Sequence, residues 1–115
     1  METQTEHAIE KVIVELQKEQ ALLPSIHAAL TQFVSDLSKI EQVHSAFVFA
    51  SGKIIELRIF LNSDDYDGEA DVFEAEERLR DNFDSLLFDF HLIPKGNRPI
   101  ENFLSPYLSE IYRKV

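Results

Sequence analysis

The 115-residue chain has no cysteine and no tryptophan, and it is sparing with glycine (three), proline (four) and methionine (one). Without cysteine there is no disulfide, no thiolate nucleophile and no cysteine-ligated metal. Long apolar runs are missing too. The longest are Ala46–Ala50 and the alternating stretch Ile54–Leu61, well short of the ~20 residues that span a bilayer. The opening Met-Glu-Thr-Gln-Thr-Glu is not a basic segment leading into an apolar one, so no secretory leader is expected and the cytoplasm is the expected location.

Positive charge is also scarce. Eleven Lys and Arg face 21 Asp and Glu, for a net charge of −10. The imbalance is local: residues 1–61 carry −3, residues 62–89 carry −9, and residues 90–115 carry +2. Such a field repels phosphate backbones and anionic lipid surfaces, which argues against nucleic-acid and membrane partners. The acidic surface around Asp64–Glu77 would instead suit a basic protein partner.

What the chain does have is a normal globular composition, 44% hydrophobic and 28% charged, with nine Phe. Its length suits one core and is too short for two. The expectation is a single α+β domain over 1–115, with a helical N-terminal segment over 1–42 and a ββαβα core over 43–115.

Apolar residues recur at Ile9, Val12, Leu16, Leu23, Ile26, Leu30, Phe33, Leu37 and Ile40, the 3–4 spacing of a helix stripe. Pro24 interrupts it, at a cost of roughly 3 kcal/mol inside a helix. The alternatives are one helix kinked there or two helices meeting there, and the unbroken phase favours a kinked or nearly collinear arrangement. A straight helix of that length outreaches a small sheet. Homodimerisation through Ile9, Leu16, Leu23, Ile26, Leu30 and Phe33 is therefore the expected self-association.

His44–Ser51 and Lys53–Leu61 read as two strands joined at Gly52-Lys53. In the second, Ile55, Leu57, Ile59 and Leu61 share one face and Glu56, Arg58 and Phe60 the other. Glu69–Phe83 reads as a helix, with Val72, Ala75 and Leu79 on its apolar side. Leu86–Ile93 is a third strand with Phe88, Phe90 and Leu92 opposite Asp89 and His91. Pro94–Pro99 is a loop, and Ile100–Tyr112 is expected to be a short terminal helix. The order α-β-β-α-β-α places helices on a three-stranded sheet, with strands two and three parallel if the helix crosses over.

Three places carry candidate chemistry. Glu56, Arg58, Asp89 and His91 would share the polar sheet face, where carboxylates, a guanidinium and an imidazole can hold a metal or exchange protons; an Arg58–Asp89 cross-strand pair is the plainer alternative. The run Ser63–Glu74 partly matches a twelve-residue calcium loop, with Asp65, Asp67, Asp71 and Glu74 as oxygen donors and Gly68 at the turn; its plainer reading is an acidic helix start. Lys95, Gly96 and Arg98 form a basic loop of the kind that holds phosphate. No catalytic motif stands out, so the reading is a non-enzymatic interaction or regulatory module. A small-molecule or metal-dependent enzyme or binding protein at the polar face is the alternative, with calcium the only cofactor suggested. A deep concavity around those four residues would favour the enzyme.

Two families share parts of the pattern. Over residues 44–94 the element order, with Ser51-Gly52 at the hairpin and His91 late in a strand, resembles the cytoplasmic domain of cation-efflux transporters. Phe49-Ala50-Ser51 also resembles the Phe-Gly-Ser of minimal nucleotidyltransferases, although Glu56 and Arg58 stand where that family has paired aspartates.

Overall fold

A computed structural model describes residues 3–18, 25–63 and 66–114. The elements are α1 (Gln4–Lys18), α2 (Ile26–Ser38), β1 (Val43–Ser51), β2 (Ile54–Leu61), α3 (Tyr66–Asn82), β3 (Leu87–Pro94), a 3-10 turn (Ile100–Phe103) and β4 (Ser109–Arg113). The fold is α+β, with a four-stranded mixed sheet in the order β3-β2-β1-β4.

The hairpin forms where the sequence placed it. Ser51 pairs with Ile54, and Gly52 takes φ +60°, the left-handed conformation that a two-residue turn requires. α3 carries the chain across, so β2 and β3 run parallel, with Glu56 beside Asp89 and Arg58 beside His91. Alternation then sorts each strand. Ala46, Val48, Ile55, Leu57 and Ile59 join the buried helix residues in one core. Phe47 and Phe60 point the other way and form a second small cluster with Ile100.

That second cluster marks the main departure from expectation. The region read as a terminal helix is a 3-10 turn followed by a fourth strand, and β4 pairs antiparallel with β1. Pro106 denies a continuous helix its hydrogen bond, and the edge of β1 offers the backbone of Ser109–Arg113 a ladder instead. To travel from β3 at one edge to β4 at the other, residues 95–108 cross the sheet as a strap. Ile100, Phe103 and Leu108 pack on Phe47 and Phe60 along the way.

The N-terminal stripe also resolves differently. Glu6 Oε2 and His27 Nε2 lie 3.1 Å apart although 21 positions separate them, whereas a continuous helix would hold them roughly 30 Å apart. α2 therefore lies against α1 rather than ahead of it. Ile9, Leu16, Ile26, Leu30 and Phe33 are all buried in the chain's own core, so the expected helix-mediated interface is corrected: a stripe already covered has nothing left to offer a second chain. Leu23, the sixth of that set, and Pro24 lie outside the described residues. Folded and collinear helices bury the same stripe, and so the phase did not separate them.

Gly68 was expected to turn a loop sharply. It lies instead within α3, and its reason is space. A Cβ there would stand 2.8 Å from the Cβ of Gln42 and 3.0 Å from its Cγ. Gly68→Ala should thus lose stability by about 1–2 kcal/mol despite alanine's better helix propensity, because the clash falls close to the Gln42 backbone. Urea unfolding of the variant checks this, and a gain in stability would show that Gln42 yields freely.

Candidate functional site

The strand pairing of β2 and β3 builds the polar face residue by residue. On the side away from the helices, Glu56 and Arg58 project from β2, and Asp89 and His91 from β3, in direct register. The strap covers Phe47 and Phe60, and its Tyr107 ring lies 4.6 Å from that of Phe49, the partner of Glu56 on β1; the β3 side of the face remains open to water. Glu56 and Arg58 are half-buried, and Asp89 and His91 are exposed.

All four come together, in a pattern that differs from simple cross-strand pairing. Arg58 Nε donates to Glu56 Oε2 on its own strand at 3.0 Å, so the expected Arg58–Asp89 pair is replaced by a same-strand one. His91 Nε2 lies 3.0 Å from Asp89 Oδ2 and 3.5 Å from Glu56 Oε1. Glu56 thus turns one carboxylate oxygen to Arg58 and the other to the imidazole. Ligand atoms of Glu56, Asp89 and His91 all lie within 4.8 Å of one another, the one such metal-type cluster among the described residues.

A deep pocket would be needed to enclose a substrate here. A hollow of about 510 Å³ does exist, but it lies between α1 and the sheet, walled by Val14, Phe49, Ala50 and Tyr107 with His7 and Lys11 at its rim. None of the four polar residues lines it.

The expected calcium loop is not a loop. Helix α3 begins at Tyr66, so Asp67, Asp71 and Glu74 project along a helix instead of converging on a centre. All three are exposed. Asp65 lies outside the described residues. Calcium needs six to eight oxygens gathered about one point, and a helix from the fourth position of the motif prevents that wrapping. The residues instead place negative charge on the first turns of α3, where it complements the helix dipole.

The basic loop after β3 spends its donors internally. Lys95 Nζ donates to the Gly96 carbonyl at 3.1 Å, and Arg98 donates to the carbonyls of Lys95 and Pro94 at 3.2 and 3.1 Å. The Arg98 guanidinium also lies 4.7 Å from the centre of the Phe103 ring. These cations tie down the root of the strap, and that use displaces the phosphate reading.

Sequence reasoning overlooked Glu76. As a charged helix residue outside the Val72, Ala75 and Leu79 stripe it reads as solvated, yet it is buried at 6% exposure and its Oε2 has no hydrogen-bond partner among the described residues. Burial pushes its carboxyl up to about 7, against a smaller opposing pull from Arg80. Its place beside Ala75 and Val72 was the available signal, since α3 buries a wider arc than the strict stripe. At the other end of the sheet, burial, Lys95 and Arg113 together hold His44 below the usual imidazole range.

The chain was compared with protein-family models, curated proteins and solved structures, and none matched. The comparisons therefore support neither the transporter-domain nor the nucleotidyltransferase resemblance. No helix among the described residues is long and apolar enough to cross a membrane.

Proposed function

We propose that this chain is a non-enzymatic interaction module that self-associates, and that it does so through the open edge of β3 rather than through its helices. The carrying observation is the half-finished burial of that strand. The neighbouring Ile55, Leu57 and Ile59 are fully buried, whereas Phe88, Phe90 and Leu92 in the same layer are only half-buried, and Leu87 is 55% exposed. Natural edge strands are blunted by lysine, proline or cover. Pro94 closes β3, but Leu87–Ile93 has neither residue.

The opposite edge shows what blunting looks like. β4 is five residues long, and Thr5 Oγ1 donates to the Ile111 carbonyl from α1. β3, eight residues long, has no comparable cover among the described residues.

A second copy of the same strand fits this edge. Turned about a two-fold axis at Phe90, the sequence Leu87-Phe88-Asp89-Phe90-His91-Leu92-Ile93 sets Asp89 opposite the copy's His91. The same operation sets Phe88 opposite Leu92 and Leu87 opposite Ile93. Apolar meets apolar and acid meets base, each pair occurring twice by symmetry. The hollow beside α1 is lined by none of Glu56, Arg58, Asp89 and His91, which supports a binding role for the polar face over an enzymatic one. Asp67, Asp71, Glu74, Glu77 and Asp81, exposed along α3, supply the acidic surface that a basic protein would meet.

Light scattering tests the reading. The protein should have a dimeric mass, and Leu87→Lys should weaken the dimer by roughly tenfold, since two cross-strand contacts of up to about 1 kcal/mol are lost. Asp89→His should weaken it as well, and the swapped double variant D89H/H91D should restore it. A wild-type protein that stays monomeric at about 100 μM, or a dimer indifferent to Leu87→Lys, would overturn the proposal.

A further inference from the structure

We infer that Glu56, Asp89 and His91 form a binding site for a first-row divalent metal ion such as zinc, on the sheet face beside the β3 edge. The spacing of the ligand atoms is the first ground. His91 Nε2 stands 3.0 Å from Asp89 Oδ2 and 3.5 Å from Glu56 Oε1. Neighbouring ligands held at about 2.1 Å from one ion are themselves about 3.0 Å apart in an octahedron and about 3.4 Å apart in a tetrahedron. His91 Nε2 therefore already stands at coordination-shell distance from both carboxylate oxygens, and all three ligand atoms lie within 4.8 Å of one another, a gap that side-chain rotation can close.

The second ground is the way the donors are held. Glu56 and Asp89 are adjacent across a parallel ladder, and His91 is two residues along from Asp89. Sheet hydrogen bonds thus fix all three Cα positions. Arg58 takes the remaining oxygen of Glu56 at 3.0 Å, so it orients this carboxylate from behind, as outer-shell partners of metal ligands do. Its charge also offsets one of the two carboxylates, and a divalent ion would leave the cluster with a single positive charge.

Ligand chemistry selects the ion. One imidazole and two carboxylates suit zinc, manganese or iron(II), whereas calcium prefers an all-oxygen shell with more donors than this face supplies. Three protein ligands on an open surface leave the outward positions to water, the arrangement of an accessible rather than a closed structural site. Coordination through Nε2 leaves Nδ1 of His91 pointing elsewhere, so the same ring can face the Asp89 of a second copy. The site needs only one chain, however, and stands independently of the proposed dimer.

Calorimetric titration of the full chain with zinc chloride tests the inference. One ion per chain is expected, His91→Ala should abolish binding, and Asp89→Asn and Glu56→Gln should each weaken it at least tenfold. Asp89 and His91 are exposed, so their variants should keep the wild-type circular dichroism, which separates loss of the site from loss of the fold. Titrating Leu87→Lys separates the two proposals: unchanged zinc affinity is expected there, whether or not the wild type dimerises. No heat with zinc at about 1 mM, or equal binding by His91→Ala, would overturn the site.

Discussion

At about pH 8, replacing Glu76 by Gln is expected to raise the melting temperature by roughly 10 °C, and at about pH 4 to leave it unchanged. The reasoning starts from a carboxyl that the fold prefers uncharged. Glu76 lies on the buried side of α3 among Val72, Ala75 and Leu79, with one oxygen lacking a partner. Arg80, one turn further on, spends its guanidinium over the Phe90 ring at 4.7 Å, and this limits the relief it gives Glu76.

The folded-state value of about 7 is raised from 4.5, and the direction of the pH effect follows from that. Below the unfolded value both states carry the proton and the group costs nothing. As pH rises from about 4.5 to about 7, the unfolded chain gains from ionising while the folded chain resists, and stability falls. Above the folded value the loss is complete, at about 3 kcal/mol. Gln keeps the shape and cannot ionise, so its advantage should grow through that window and then level off. Thermal melts across the range check this, and an advantage that is flat with pH would refute the cause given.

Phe60→Ala should cost about 3–4 kcal/mol, and the loss should fall unevenly over the molecule. The Phe60 ring meets Phe47 at 5.8 Å edge-on and Phe103 at 5.4 Å. It is the β2 side chain of the strap's cluster, so its removal leaves Ile100 and Phe103 with Phe47 alone as a floor. Hydrogen exchange over residues 100–113 should accelerate more than global unfolding requires, as a sub-globally opening segment does. Phe33→Ala removes a similar volume from the main core, against Phe90, and should destabilise comparably without that selective opening. Uniform acceleration in both variants would mean that the strap has no separate attachment.

The polar face was legible in the sequence because strand alternation is a local property. Once Ile55, Leu57 and Ile59 are committed to the core, Glu56 and Arg58 can only face away. The parallel pairing of β2 with β3 was legible for a similar reason, since a helix between two strands carries the chain back to the starting end. What escaped depended on distant partners. Ser109–Arg113 becomes a strand because β1 has a free edge more than fifty residues upstream, and nothing in Ser-Glu-Ile-Tyr-Arg itself demands it. The pairing of Glu56 with Arg58 on one strand, in place of Arg58 with Asp89, turned on side-chain reach rather than on register. The calcium resemblance matched residue types at fixed positions, but the early start of α3 at Tyr66 changed the backbone those positions ride on.

The late arrival of β4 bears on how the chain is made. Thr5 donates to the Ile111 carbonyl across 106 positions, and the Lys114 amide donates to the His44 carbonyl. During synthesis at ~5–20 residues per second, everything through β3 emerges before the segment that closes the other side. For that interval the nascent chain displays two open strand edges, β3 and the still unpaired flank of β1, with Phe47 and Phe60 uncovered between them. A trailing segment of some twenty residues thus decides when the flank of β1 and its two phenylalanine rings are withdrawn from other chains, leaving β3 as the one open edge.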